Sequence, residues 1–109
     1  MSDRSQMATY APLMKLLEVR GYDLRAFGSA ERGLSYSDAL EFIALLERSH
    51  VQLLGFEPWR HSAGQYKIES LGVWVPEESE GKDSSYTQAR RCLEHLRMKE
   101  KDVVTVQFR

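Results

Sequence analysis

Residues 35–49 read SYSDALEFIALLERS and carry the clearest secondary-structure signal in the chain. An apolar stripe recurs there at helical spacing. It consists of Tyr36, Ala39, Leu40, Ile43 and Leu46, with Phe42 and Leu45 widening it. Ser35 is a typical N-cap residue, and Asp38 occupies the acidic position of a capping box. The pattern predicts a helix over residues 35–49 whose broad apolar face covers a sheet.

The residues that follow this helix have the composition of strands. Residues 51–59 are apolar and are interrupted by Gly55, which indicates a bulge or a close backbone approach. Pro58 has no N–H, so we expect it to face an open edge or a bulge. Residues 61–65 predict a hairpin loop of three to five residues. Residues 66–75 alternate in polarity and predict the second strand of the hairpin.

Two segments precede this central region. The spacing of apolar residues predicts a short helix over residues 9–20, with Pro12 in its first turn. Residues 22–34 show no sustained period and predict a loop held down by Leu24 and Phe27.

Two further segments follow it. A third helix is predicted to open near Ser85, with Gln88 completing a capping-box pattern. Residues 103–108 predict a last strand.

The sequence therefore predicts the α+β class: a small three-stranded, at least partly antiparallel sheet packed with about three helices, in the order α-α-β-β-α-β. We expect a single domain over residues 1–109, with residues 1–8 as a disordered tail. The side chains expected to be largely buried are Leu40, Ile43, Leu46, Leu53, Ile68, Leu93 and Leu96.

The composition excludes several classes of protein. The chain has 109 residues, 42% of them hydrophobic and 28% charged, which is far from the composition of a disordered protein. Its single cysteine, Cys92, cannot form an internal disulfide. No apolar run approaches the ~20 residues of a membrane helix, and the first residues do not resemble a signal peptide. We therefore expect a cytoplasmic protein with no membrane partner.

The charges are unevenly distributed, although the net charge is only −1. Residues 57–83 carry three basic and six acidic side chains, and residues 84–109 carry six basic and three acidic ones. No concentrated basic stripe is present, so we expect no nucleic-acid partner. The densest negative charge is formed by Glu77, Glu78, Glu80 and Asp83.

Few residues are candidates for catalysis or metal binding. Cys92 and His95 lie one helical turn apart, but Cys92 falls beside the apolar stripe of the third helix, where a packing role is expected. The three histidines and one cysteine have no metal-ligand spacing. We expect no catalytic residues, no metal and no cofactor, and therefore no enzyme.

The order of features resembles a family of small bacterial proteins. The capped helix is followed by an apolar strand with a glycine, VQLLG, then by a strand with a tryptophan, IESLGVW, and by SYTQARRCL. Over residues 34–96 this pattern resembles the immunity protein 40 family of bacterial polymorphic-toxin systems. The chain departs from the family pattern at Phe56, where a second glycine is usual, and at residues 72–73, where the pattern has Asp-Asn.

The resemblance implies roles for particular residues. Gly55 matches the glycine after the first strand's apolar run, and Trp74 matches the tryptophan of the second strand. Tyr86, Ala89 and Cys92 match the inward positions of the third helix.

The resemblance implies an immunity protein that neutralises a cognate toxin by direct non-covalent binding. We expect a monomer or a weak dimer. A small secretion chaperone or another interaction adaptor is the alternative, and a small enzyme is a third. We expect Trp59, Glu77, Glu78, Glu80 and Asp83 to belong to the toxin-binding surface, because the acids attract a basic partner and a tryptophan supplies an apolar anchor.

Overall fold

The computed structural model describes residues 2–68, 74–77 and 84–109, with side chains from residue 10 onward. In these ranges the chain forms three helices, one short 3₁₀ turn and five strands. They are α1 Ser2–Arg20, β1 Tyr22–Asp23, the 3₁₀ turn Arg25–Phe27, β2 Arg32–Gly33, α2 Tyr36–Arg48, β3 Leu53–Ser62, β4 Gln65–Ile68, α3 Ser85–Leu96 and β5 Val103–Phe108. The predicted α+β class with a three-stranded antiparallel sheet is confirmed.

Helix α1 is longer than predicted. It begins at Ser2, so residues 2–8 have helical backbone where the sequence predicts a disordered tail. Pro12 consequently lies inside the helix and not in its first turn. The apolar stripe that predicts this helix begins at Tyr10, so it does not mark where the helical backbone starts.

Helix α2 forms as its sequence predicts. The Ser35 hydroxyl accepts a hydrogen bond from the Asp38 N–H at 3.3 Å, and the helix ends at the C-cap Ser49. Its fully buried side chains are Ala39, Phe42, Ile43 and Leu46, while Leu40 is half-buried. This face of α2 fills the centre of the hydrophobic core.

The three-stranded sheet has the order β4-β3-β5, with both pairings antiparallel. Strand β3 continues to Ser62, which pairs with Gln65, so the hairpin loop has only two residues. These are Ala63 and Gly64, with φ of 51° and 75°. Positive φ at both positions is the arrangement of a type I′ turn, which matches the twist of the two strands better than the predicted longer loop.

Pro58 lies in the central strand β3, opposite Val104 of β5. Val104 exchanges both of its backbone hydrogen bonds with Leu34, at 2.7 and 2.8 Å. The Pro58–Val104 pair is therefore a non-hydrogen-bonded pair of the ladder, and β5 loses no hydrogen bond to the missing N–H. The N–H side of Pro58 therefore points away from β5.

The sheet has two faces, which we call inner and outer. The inner face packs against the three helices, and its core consists of Leu13, Leu16, Leu34, Ala39, Phe42, Ile43, Leu46, Val51, Leu53, Phe56, Ala89, Leu93, Val104 and Val106. The outer face carries a smaller cluster of Trp59, Tyr66 and Val103, covered by Leu24 and Phe27 from residues 22–33. The expectation that Leu24 and Phe27 hold this segment down is confirmed.

The predicted core is largely confirmed. Ile43, Leu46, Leu53 and Leu93 are buried, and Leu40 and Leu96 are partly buried against them. Ile68 is the exception, since 47% of it is exposed at the end of β4. The described helices include none that is long and apolar enough to cross a membrane.

Candidate functional site

Residues 74–77 form a short segment that is fixed to the fold at both ends. Trp74 exchanges two backbone hydrogen bonds with Phe56, at 2.9 and 3.0 Å, and the two rings stack with their centroids 4.8 Å apart. At the other end, the Glu77 N–H donates to Gln88 Oε1 at 2.8 Å, and Gln88 Nε2 donates to the Glu77 carbonyl at 3.0 Å. We call these residues the Trp74–Glu77 segment.

A glycine permits this close approach. A Cβ atom at Gly55 would lie 2.3 Å from the carbonyl oxygen of Trp74, a distance that no side chain can accept. The β3–β5 register also shifts between Leu53 and Gly55, which marks a bulge. Both expectations for Gly55, a bulge and a close backbone approach, are confirmed. Gly55 and Trp74, the two strand positions that the family resemblance names, are therefore in direct contact.

The Trp74–Glu77 segment presents an apolar and an acidic side chain to solvent. Val75 is 59% exposed and Glu77 is exposed. Trp74 is half-buried and packs against the core. Because the backbone is held at both ends, these side chains project from a fixed position.

Helix α3 begins at Ser85, as predicted, but its N-cap differs from the predicted capping box. The N-cap is Ser84, whose hydroxyl accepts from the Thr87 N–H at 3.2 Å. Gln88 does not complete a capping box at Ser85, since its amide is engaged with the Glu77 backbone.

Trp59 does not lie on an exposed surface. Only 3% of it is exposed, and it packs with Leu24, Tyr66 and Val103 in the outer-face cluster. Its Nε1–H donates to the Thr105 hydroxyl at 3.4 Å. Trp59, which the sequence analysis assigns to the toxin-binding surface, is therefore covered in this structure by residues 22–33, and these residues have no sequence period that predicts such a cover.

Of the four acids assigned to the binding surface, Glu77 is placed by the structure. Glu78, Glu80 and Asp83 lie outside the described residues. The structure thus brings Glu77 together with Val75 and Trp74, and the aromatic residue beside the acidic stretch is Trp74 rather than Trp59.

A concave surface, which we call the α1–β5 groove, lies between the C-terminal half of α1 and the end of β5. It has a volume of about 640 Å³. Its residues are Met14, Leu17 and Glu18 of α1, Ala30, Glu31 and Arg32 before and in β2, Leu54 of β3, and Val106, Gln107 and Phe108 of β5. A second cavity of about 450 Å³ shares Ala30, Glu31 and Gln107 with it and adds Glu57.

The groove has an apolar floor and a mainly acidic rim. Glu31 accepts a hydrogen bond from Gln107 Nε2 at 2.8 Å, which ties the rim to β5. Arg32 donates to the Gly21 carbonyl at 3.4 Å. Within the described residues, Gln107 Oε1 is buried and has no hydrogen-bond partner. Sequence periodicity does not reveal this groove, because its walls come from elements far apart in the chain.

A buried carboxylate that the sequence does not single out lies at the other end of β3. Asp102, 3% exposed, accepts hydrogen bonds from the His61 N–H at 2.9 Å and the Lys99 N–H at 2.8 Å. Arg60 Nη1 contacts it at 3.0 Å, and Arg60 Nη2 donates to the Leu96 carbonyl at 2.7 Å. Burial alone raises the pKa of Asp102, but these hydrogen bonds and the Arg60 charge outweigh it and lower the pKa below its ordinary value.

Cys92 has the surroundings of a packing residue. It is half-buried against the inner core, and burial raises the pKa of its thiol, which lowers the fraction of reactive thiolate. His95 Nδ1 lies 2.7 Å from the Arg91 carbonyl, on its own helix. Among the described residues, no group of three or more His, Cys, Asp or Glu side chains is arranged to hold a metal ion.

The helix positions named by the family resemblance face the core. Ala89 is fully buried, and Tyr86 and Cys92 are partly buried against the same cluster. The Tyr86 hydroxyl donates to the Val51 carbonyl at 2.7 Å, which joins α3 to the chain entering β3.

Comparison of the chain with protein-family models, curated proteins and solved structures found no match.

Proposed function

We propose that this protein is an immunity protein that binds a bacterial toxin of a polymorphic-toxin system and neutralises it by direct non-covalent contact. The observation that carries the proposal is the Trp74–Glu77 segment, which is fixed at both ends and exposes Val75 and Glu77. Further support comes from the contact between Gly55 and Trp74, the two strand positions that the family resemblance names.

The charge of this region suits a basic partner. Glu77 begins a stretch of sequence that also contains Glu78, Glu80 and Asp83, with Lys82 as its only cation. Toxins that act on nucleic acids have basic active sites, and complementary charge accelerates association and orients the partners. Exposed ion pairs contribute only ~0–1 kcal/mol each, so affinity also requires apolar contacts such as Val75.

The experiment is coexpression with the C-terminal domain of a polymorphic toxin encoded beside this chain. We expect the protein to restore growth of cells that produce the toxin domain, and to copurify with it as a stoichiometric complex. If the toxin domain still kills cells that contain equal amounts of folded protein, the proposal is wrong. Binding only to the secretion region of the toxin, with toxicity unchanged, would identify a chaperone instead.

Two variants test the Trp74–Glu77 segment itself. We expect Val75→Lys to weaken binding about tenfold or more, as loss of a central apolar contact does. Glu77→Lys should mainly slow association, and the effect should shrink at high salt because screening removes long-range attraction.

Matched controls carry the same substitutions elsewhere. Val19→Lys replaces another exposed valine, 70% exposed on α1, and Glu94→Lys reverses an exposed acid on α3. Both should bind as the unmodified protein does. If they weaken binding as much as the segment variants, the segment is not the contact surface.

A further inference from the structure

The interface described above has little apolar area for a tight complex. Val75 is a single exposed side chain, and Trp59, which the sequence suggests as the anchor, is buried within the outer-face cluster. Tight protein interfaces usually contain a desolvated central cluster surrounded by polar contacts. A second apolar surface within reach of the segment would meet this requirement.

The α1–β5 groove adjoins the segment through two consecutive residues of β3. Leu54 lines the groove, and its neighbour Gly55 contacts the Trp74 carbonyl and lies close to the Val75 side chain. The floor contains Leu17, Leu54 and Val106, and Met14 stands at the rim with 53% of it exposed. Apolar area open to solvent in a concave surface of this size is typical of a binding site.

The charges around the groove select one kind of occupant. Glu18 and Glu31 line it, and Glu57 lines the cavity that continues from it, whereas Arg32 is the only cation among the described residues that line either cavity. Glu18 and Glu31 are exposed. An occupant with apolar side chains and flanking lysines or arginines would match both the floor and the rim.

We propose that the α1–β5 groove binds a basic segment of the toxin that inserts apolar side chains between α1 and β5. This inference rests on the proposed function for the identity of the partner. The groove supplies the apolar anchor, and the Trp74–Glu77 segment supplies the adjoining contact. Both surfaces carry the same sign of charge, so one basic face of the partner spans them.

The first experiment measures binding of the toxin domain to groove variants. Met14→Lys replaces an apolar side chain that lines the groove with a positive charge, and we expect about a tenfold or greater loss of affinity, mainly through faster dissociation. The double variant Glu18→Lys/Glu31→Lys should slow association about tenfold at low salt, with a smaller effect at high salt.

The controls have the same changes outside the groove. Val19→Lys lies on the same helix as Met14, and Glu94→Lys/Glu100→Lys reverses two exposed acids that do not line the groove. Circular dichroism and thermal unfolding establish that every variant is folded. If folded groove variants bind as tightly as the controls while Val75→Lys does not, the groove is not part of the interface, although the proposed function stands.

A second experiment tests the groove without the toxin. The probes are a synthetic peptide in which leucine and phenylalanine alternate with lysine, and the same peptide with glutamate in place of lysine. We expect the basic peptide to shift the amide NMR signals of Leu54, Val106 and Gln107, and the acidic peptide to shift them much less. Equal shifts with both peptides, or none with the basic one, would overturn the proposed charge selectivity. A toxin domain that fails to bind, with the peptide still binding, would reject the toxin as occupant and the proposed function with it.

Discussion

The two faces of the sheet are covered in different ways. Three helices cover the inner face, where Phe42, Ile43 and Val104 are fully buried. Within the described part of the chain, the outer-face cluster is covered by residues 22–33, which contain two strands of two residues each and one 3₁₀ turn. That cover buries Trp59 but leaves Ile68 at 47% exposure.

The difference teaches how a small domain combines stability with an accessible surface. A helix with a broad apolar stripe buries a large area through few residues and fixes the core. A short irregular segment buries only a small cluster of side chains, so neighbouring side chains of the sheet remain exposed to solvent. In this protein residues 30–32, near the end of the segment that covers the outer face, line the α1–β5 groove.

The largest expected effect is on the inner face. Phe42→Ala removes a fully buried ring that contacts Phe108, with the ring centroids 5.3 Å apart. We expect the free energy of unfolding to fall by ~3–5 kcal/mol, because the surrounding helices cannot close the cavity. Urea denaturation measures it, with Tyr36→Ala, 37% exposed on the same helix, as control. A loss below 1 kcal/mol for Phe42→Ala would contradict the inner face as the main core.

The next effect concerns Asp102, which joins the end of α3 to β3. Asp102→Ala removes the acceptor of the His61 and Lys99 N–H groups and the ion-pair partner of Arg60, which keeps its hydrogen bond to the Leu96 carbonyl. We expect a loss of about 3 kcal/mol at neutral pH. Asp102→Asn, which keeps one carbonyl acceptor, should lose less. Equal stability of Asp102→Ala and the unmodified protein would refute the role assigned to this carboxylate.

The same residue gives the protein a pH dependence of known sign. The pKa of Asp102 is lower in the folded protein than its ordinary value of 3.8. Its ionised form therefore stabilises the fold above pH 3.8, and this contribution disappears as the pH falls through the lowered pKa. We expect the stability difference between the unmodified protein and Asp102→Asn to shrink with acidification. A difference that grows at low pH would show the opposite shift.

A smaller effect is expected on the outer face. Leu24→Ala removes a fully buried side chain from the cluster of Trp59, Tyr66 and Val103. We expect a loss of ~2 kcal/mol, at the low end for such a change, because a short segment collapses more readily than packed helices. Hydrogen exchange should accelerate at the Phe27 and Gly28 amides and leave Ile43 protected. Uniform acceleration would show that the two faces unfold as one unit.

The smallest effect lies at the hairpin turn and has the opposite sign. Ala63 has a φ of 51°, a conformation that asparagine adopts more readily than alanine. We expect Ala63→Asn to raise the free energy of unfolding by ~0.5–1 kcal/mol. Gly64→Ala, at a φ of 75°, should lower it. Thermal unfolding that shows both substitutions acting in the same direction would argue against the type I′ turn.

The inner face could be predicted from the sequence because each of its elements has a local signal. The spacing of Ala39, Ile43 and Leu46 identifies the buried face of α2, and Ser35 identifies its start. The hairpin and the last strand follow from alternation and from the glycine at position 64. These signals come from neighbouring residues, so the sequence alone is enough to recognise them.

The outer face could not be predicted in the same way. Residues 22–33 bury Trp59, but they have no hydrophobic period that predicts this packing. Alternation along β3 separates two faces and does not indicate which face another segment covers. Ile68 was expected in the core for the same reason. The Gln88 side chain binds the backbone of Glu77, and only the folded chain brings these two residues together. Local sequence thus predicts helices and strands, and long-range packing decides which side chains stay available for binding.

The two tryptophans lie in different surroundings, so intrinsic tryptophan fluorescence can report on two regions of the protein. Trp59 is enclosed by Leu24, Tyr66 and Val103, so it should emit at short wavelength and resist collisional quenchers. Trp74 is half-buried and stacked on Phe56 beside the exposed Val75, so its emission should be red-shifted and accessible to iodide. In the Trp59→Phe variant, the fluorescence of Trp74 reports on binding at the surface around Val75. In the Trp74→Phe variant, the fluorescence of Trp59 reports on opening of residues 22–33, which cover it.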